Sequence, residues 1–279
     1  MWSQVLRNLT GTVAFVVAAS MCTAAVPALD GSDVEGWLDG AVPYGLHVSD
    51  IAGAVVVVVK DHEVLLEKGY GYADIAKHTP MDPMQTGIGV GSVSKLFTWT
   101  AVMQLVQAGK LDLDRNINDY LDFKIPDAFG KPVTMRNLMT HTAGFEEMMK
   151  TYITSGEKPR DLGAYLRAVP APERIFPPGQ IPAYSNYGAT LAGYIVERLS
   201  GEPFPAYIEH HVLEPLAMDR STFEHPLPPA LAASLAKFYR RASSPEPLPE
   251  SANIQDPSDD PAGSLVSTAD DISHFMLAI

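Results

Sequence analysis

The sequence predicts an α+β fold, an antiparallel sheet joined to a helical lobe. Two stretches carry this. Ala54-Val55-Val56-Val57-Val58-Val59 is a β-branched run without alternation, and Glu63–Glu67 follows it across Asp61-His62. That is the pattern of two antiparallel strands joined by a two-residue turn. From Ser92 to about Leu216, apolar residues recur at helical spacing instead. A two-stranded hairpin is not stable alone, so the sheet needs further strands.

In chain order, Asp33–Asp39 predicts a short acidic helix with Val34, Trp37 and Leu38 on one side. The Ala54–Val59 run, lacking polar alternation, predicts a strand buried on both faces. Gly69, Tyr70 and Gly71 end the second strand. After Ser92, residues Leu96, Phe97, Trp99, Val102, Met103, Leu105 and Val106 cover most of a helix circumference, which predicts a central buried helix. Gly109 fits its C′ position. Thr134 caps a short helix through Met139, which stops at Thr142-Ala143-Gly144. Phe176-Pro177-Pro178-Gly179 forms a turn. Leu191, Ile195 and Leu199 share one helix face, closed by Gly201, and Tyr207–Leu216 forms another helix. Prolines crowd residues 226–261, predicting a long irregular excursion. Thr268 caps a last helix, Ala269–Leu277.

The 279 residues suffice for a sizeable core, and 46% hydrophobic against 19% charged residues is a globular composition. A net charge of −13 repels phosphate backbones and argues against a nucleic-acid partner. The single cysteine, Cys22, excludes an internal disulfide framework. Residues 1–28 have the pattern of an export signal. Arg7 is a thin positive region, Val13–Met21 a short apolar core, and Thr23-Ala24-Ala25 or Val26-Pro27-Ala28 a small-residue cleavage site. The apolar run is short for a membrane span, and an uncleaved anchor holding the protein to a membrane is the alternative. One domain, residues 29–279, follows, and the expected location is periplasmic or extracellular.

Ser92 and Lys95 open the long apolar helix, one turn apart and on one side of it. Ser92 falls in the first turn, where unpartnered backbone N–H groups favour an oxyanion. Lys95 brings an amine within reach of its hydroxyl as a proton acceptor. The spacing alone proves little, since Ser155/Lys158 and Ser234/Lys237 share it. Only Ser92 follows a glycine and begins a strongly apolar helix. Tyr184-Ser185-Asn186 offers a second group, a phenol able to act as a base beside a lysine and an amide that both donates and accepts. The plain alternatives are a buried tyrosine and a helix-capping asparagine. Ser251-Ala252-Asn253, in the proline-rich stretch, starts no helix.

Four stretches together resemble the serine β-lactamase-related family. They are Gly91-Ser92-Val93-Ser94-Lys95-Leu96-Phe97-Thr98, Leu138–Gly144, Pro177-Pro178-Gly179 with Tyr184-Ser185-Asn186, and Pro261–Thr268. That family includes class C β-lactamases, D-alanyl-D-alanine carboxypeptidases, and serine esterases and peptidases. The resemblance covers roughly residues 40–279 and implies a β-lactamase/transpeptidase-like fold. It implies Ser92 as the nucleophile that forms an acyl-enzyme, Lys95 and Tyr184 as sharers of the proton traffic, and Asn186 as holder of a substrate amide and of the lysine head. The Ser92 backbone N–H would supply one oxyanion donor. No metal or organic cofactor is implied. The expected partner is a small-molecule or peptide substrate: a β-lactam, a D-Ala-D-Ala peptide or an ester.

The family's third motif, Lys-Thr-Gly or His-x-Gly on a strand lining the site, matches no Lys or His of this sequence. In the family it comes after the stretch matching Pro261–Thr268, and this sequence ends eleven residues beyond Thr268. The expectation is therefore a C-terminally incomplete domain, lacking a second oxyanion donor and the strands that would pair with the hairpin, and weakly active or inactive alone. A reading from a different class is a non-catalytic member that binds peptidoglycan fragments or a protein. Among other residues, His141 is expected to be structural. His210 and His211 are adjacent, expected to face different ways, and with His225 to lie at the surface. Met135, Met139, Met148 and Met149 are expected in packing, Glu146-Glu147 in a solvated turn, and Trp99 in the core.

Overall fold

The structure is a computed structural model and describes residues 29–147, 161–248 and 260–279. The readings of the N-terminal segment with Cys22, of Met148 and Met149, of Ser155/Lys158 and of Ser251-Ala252-Asn253 lie outside those residues. Among the described residues, no helix is long and apolar enough to cross a membrane.

The chain enters through α1 (Gly31–Ser49), much longer than the predicted Asp33–Asp39. Asp30 starts it by accepting the Asp33 N–H at 2.9 Å, and Asp50 ends it in the left-handed region at φ 56°. Packing on the sheet overrides the poor propensities of Gly40, Pro43 and Gly45. Lys68 on the sheet pairs with Glu35 at 2.6 Å and Asp39 at 2.8 Å, and Tyr70 Oη donates to Asp39 at 2.9 Å.

The sheet is antiparallel, in the order β1 (Gly53–Lys60), β2 (Glu63–Asp74), β3 (Thr79–Pro80). Lys60 pairs with Glu63 across Asp61 and His62, whose φ angles of 52° and 64° make the left-handed two-residue turn that suits strand twist. Gly69–Gly71 does not end β2. The strand runs through it because Gly69 pairs with Val55, and a side chain there would strike the Met81 backbone. Alternation puts Lys68 and Tyr70 on the face covered by α1, and Glu67 on the other, the face against which α9 (Ala269–Ala278) packs. Both faces are thus covered. The residues of β1 are nonetheless half-buried rather than buried, because among the described residues β1 is an edge of the sheet.

The helical lobe is built on α2 (Ser94–Gln107) and α5 (Asn186–Ser200), with α3 (Met135–Met139), α4 (Leu162–Ala168) and α6 (Phe204–Ile208) around them. Helix α2 is buried on one broad face and not all round. Phe97, Ala101 and Leu105 face the core, whereas Leu96 is 48% and Met103 44% exposed. Thr134 caps α3 in a reciprocal box with Asn137, and Gly109 and Gly201 sit just past α2 and α5, at φ 68° and 81°. The predicted single helix Tyr207–Leu216 is broken. After α6 comes a π-helical turn at Glu209–Leu213, then a 3₁₀ turn at Glu214–Leu216. The proline-rich stretch also holds more order than expected, with α7 (Pro229–Ser234) and a hairpin of β5 (Tyr239–Arg241) and β6 (Ser244–Pro247).

Two short elements fix the loop that precedes α2. Strand β4 (Ile88–Gly89) pairs with β7 (Val266–Ser267), and the Val90 N–H donates to the Leu265 carbonyl at 3.0 Å. Just before β7, α8 (Asp260–Gly263) packs on both α2 and α5. Gly193 of α5 makes this approach feasible, since a β-carbon there would overlap the Pro261 ring. Gly193→Ala is expected to cost about 1–3 kcal/mol through overpacking, measured as a shift in the urea midpoint.

Candidate active site

Ser92 lies in a 3₁₀ turn, Gly91–Val93, that runs straight into α2. Lys95, three residues on in the first turn of α2, lies on the same side and comes back beneath Ser92. Its Nζ is 3.2 Å from Ser92 Oγ. Lys95 is only 4% exposed, and a buried amine needs partners. It donates to Asn186 Oδ1 at 2.7 Å and to the Ala262 carbonyl at 2.6 Å. The Ala262 carbonyl is held in turn. Thr98 Oγ1 donates to the neighbouring Pro261 carbonyl at 2.6 Å, and Ser94 Oγ accepts the Leu265 N–H at 3.0 Å.

Tyr184 sits before the N-cap of α5, with its Oη 2.7 Å from Ser92 Oγ. Its ring stacks on His141 at 4.3 Å and 28°, and Lys95 Nζ lies 4.8 Å from the ring centroid. The stretch Tyr184-Ser185-Asn186 passes from extended backbone into the helix. Ser185 is the N-cap, its Oγ accepting the Gly188 N–H at 3.1 Å, and Asn186 is the first helical residue. The cap turns Asn186 inward, towards Lys95. The structure therefore brings Ser92, Lys95, Tyr184 and Asn186 together. Ser234 and Lys237 stand elsewhere, with Ser234 Oγ bonded to Leu231 within α7.

His141 is structural in the way expected, and it also shapes the site. Its Nδ1 accepts the Ser185 N–H at 3.2 Å, so a neutral ring carries its proton on Nε2. Its carbonyl accepts the Ala183 N–H at 2.7 Å. The ring is a platform for Tyr184 and meets Trp99 edge-on at 6.4 Å. Burial first, and the positive charge of Lys95 second, hold its pKa below the ordinary 6.5.

Two contributors escaped the sequence reading. Glu147, expected in a solvated turn, is half-buried, and its carboxylate accepts the Asn186 N–H at 3.0 Å and the Asn186 Nδ2–H at 2.9 Å. No side-chain spacing signals this contact, because it joins residues 39 apart. The Ala262 carbonyl is a backbone group with no side-chain signature. His210 and His211 do not face apart. The π-helical turn swings both onto one carboxylate, Glu202, at 3.0 and 2.9 Å. His225 is half-buried rather than at the surface, because its Nε2 reaches the Ser264 carbonyl at 3.0 Å. Among the described residues, no group of three or more His, Cys, Asp or Glu could hold a metal ion.

The Beta-lactamase family model matches residues 39–279. The chain belongs to the Beta-lactamase family. Among curated relatives, the Staphylococcus aureus (strain MW2) protein flp is 26% identical over 247 residues, covering 88% of this chain and 49% of that protein. The chain thus spans about half the length of the curated relatives it matches. Among solved structures, an octameric penicillin-binding protein homologue from Pyrococcus abyssi superposes with a TM-score of 0.71 at 26% identity, covering 87% of this chain and 55% of that one. A class C β-lactamase in complex with cefoxitin gives 0.67 at 24% identity, over 88% and 65% of the two chains, a likeness of fold alone. The fold is β-lactamase/transpeptidase-like, mixed in helix and strand, as the resemblance implied.

The buried His141 makes stability depend on pH. Its folded value lies below its unfolded value, so the folded chain binds fewer protons. The contribution of His141 is complete above about pH 6.5 and falls as pH drops from there through the lowered folded value. Urea midpoints at pH 8 and pH 5 are expected to differ more for the native chain than for His141→Gln.

Proposed function

We propose that this protein is an exported serine hydrolase that cleaves an amide or ester bond through an acyl-enzyme on Ser92. The reading rests on one observation: Ser92 Oγ has a phenol oxygen at 2.7 Å and an amine nitrogen at 3.2 Å. Two acceptor-only oxygens, of Asn186 and Ala262, claim two N–H bonds of Lys95. In the neutral amine this leaves the lone pair for the Ser92 proton. In the ammonium form the third N–H turns to Ser92 Oγ, and Tyr184 takes the proton as phenolate. The same frame serves either distribution.

In this reading Ser92 Oγ bonds to the carbonyl carbon of the substrate, and the carbonyl π electrons move onto its oxygen. The serine proton passes to Lys95 or Tyr184. It then goes to the departing nitrogen or oxygen as that bond to carbon breaks. Water reverses the sequence to release the acid. The Ser92 backbone N–H supplies one oxyanion donor, and Asn186 receives the substrate amide. No step calls for a metal or an organic cofactor. The substrate class is a β-lactam, a D-Ala-D-Ala peptide or a simple ester. Export rests on the apolar Val13–Met21 core and the small residues that follow it.

Fluorescent penicillin and a fluorophosphonate are the tests, applied to the full chain. Slow labelling is expected, lost in Ser92→Ala and slowed about 10²–10³-fold further in Tyr184→Phe. Absence of label from the native protein with both reagents would favour a non-catalytic binding member instead.

A further inference from the structure

We infer that Glu147 is a positioning residue for the reaction proposed above, setting which end of the Asn186 amide faces Lys95. The inference rests on that reading and adds a residue to it. An asparagine amide has a donor end and an acceptor end of nearly equal shape, and only the acceptor end suits an amine. Lys95 spends one N–H on Asn186 Oδ1 at 2.7 Å. A flipped amide would point Nδ2 at Nζ, donor against donor, and leave a buried N–H without a partner. Something must forbid the flip.

Glu147 does so by being able only to accept. One carboxylate oxygen takes the Asn186 Nδ2–H at 2.9 Å, and the other takes the Asn186 backbone N–H at 3.0 Å. The two bonds fix the carboxylate and the amide to each other as a pair. The backbone N–H belongs to the first turn of α5, a fifteen-residue helix, where an anion is favoured. Glu147 itself is anchored by the chain just before it. Phe145 bridges Arg174 in antiparallel fashion, and the Glu146 N–H donates to the Glu173 carbonyl at 2.8 Å. The resulting order runs carboxylate, amide, amine, serine, and the links from carboxylate to amide and from amide to amine each have one polarity only. A second N–H on Asn186 Nδ2 stays available for substrate.

The polarity can be exchanged, and that gives the test. Glu147→Gln offers one acceptor to two donors and frees the amide to flip. Asn186→Asp sets two carboxylates against each other. The double variant E147Q/N186D restores every bond, with donor and acceptor swapped only in the one between the two side chains. The new amide oxygen at position 147 receives the backbone N–H, the amide nitrogen donates to the new carboxylate at 186, and that carboxylate's other oxygen receives Lys95. Maximal fluorophosphonate labelling rates on the full chain are expected to fall about tenfold or more in each single variant. The double variant is expected to recover most of the loss, while the half-saturating reagent concentration and the thermal midpoint move little. A single Glu147→Gln variant that labels at the native rate would overturn the inference. So would a double variant no faster than the slower single. Should the native chain not label at all, the hydrolase reading fails by itself. Exchange of the Asn186 side-chain N–H, followed by NMR, then decides the positioning. Slow exchange that becomes fast in Glu147→Gln supports it, and equally fast exchange in both refutes it.

Discussion

The site depends on one amine out of water. Lys95 is almost wholly buried, and its three polar neighbours come from three separate parts of the chain: the turn before α2, the first residue of α5, and α8. Removing one partner of a buried charged or polar group costs far more than the bond is worth in water. The relative placement of α2, α5 and α8 is therefore tied to the satisfaction of this nitrogen. The small residue at 193, the Thr98 bond to Pro261 and the Ser94 bond to Leu265 all maintain the same junction.

Around that junction the fold works in two layers. The β4–β7 pair fixes the turn that carries Ser92. The segment from His141 to Glu147 runs beside residues 173–183 and holds Tyr184 through His141, and Asn186 through Glu147. Tyr184, which reaches Ser92, and Asn186, which reaches Lys95, are thus held by one strip of chain, which explains why a stretch with no catalytic group of its own stands so near the site.

Much of this was legible in the sequence where chemistry is local. The hairpin turn, the caps at Thr134 and Thr268, and the glycines after α2 and α5 each follow from a few adjacent residues. The four side chains at the site were nameable because each sits in a short stretch of distinctive order. Long-range packing was not legible. Helix α1 runs through Gly40 and Pro43 because the sheet supports it, and β2 runs through Gly69 because Met81 approaches there. The two histidines at 210 and 211 meet one carboxylate through a π-helical turn that spacing rules for an α-helix do not allow for. Glu147 was passed over because its partner is distant in sequence and the bond is made partly to backbone.

That β1 is an edge strand among the described residues carries a practical corollary. Ala54–Val59 is uncharged, proline-free and almost entirely valine, the composition that adds strands from other molecules. Lys60, at its end, is the one gatekeeper charge of that strand. Any form of the chain that leaves this edge bare is prone to polymerise in concentrated solution, and its yield as soluble material is set by how that edge is covered as much as by the stability of the core.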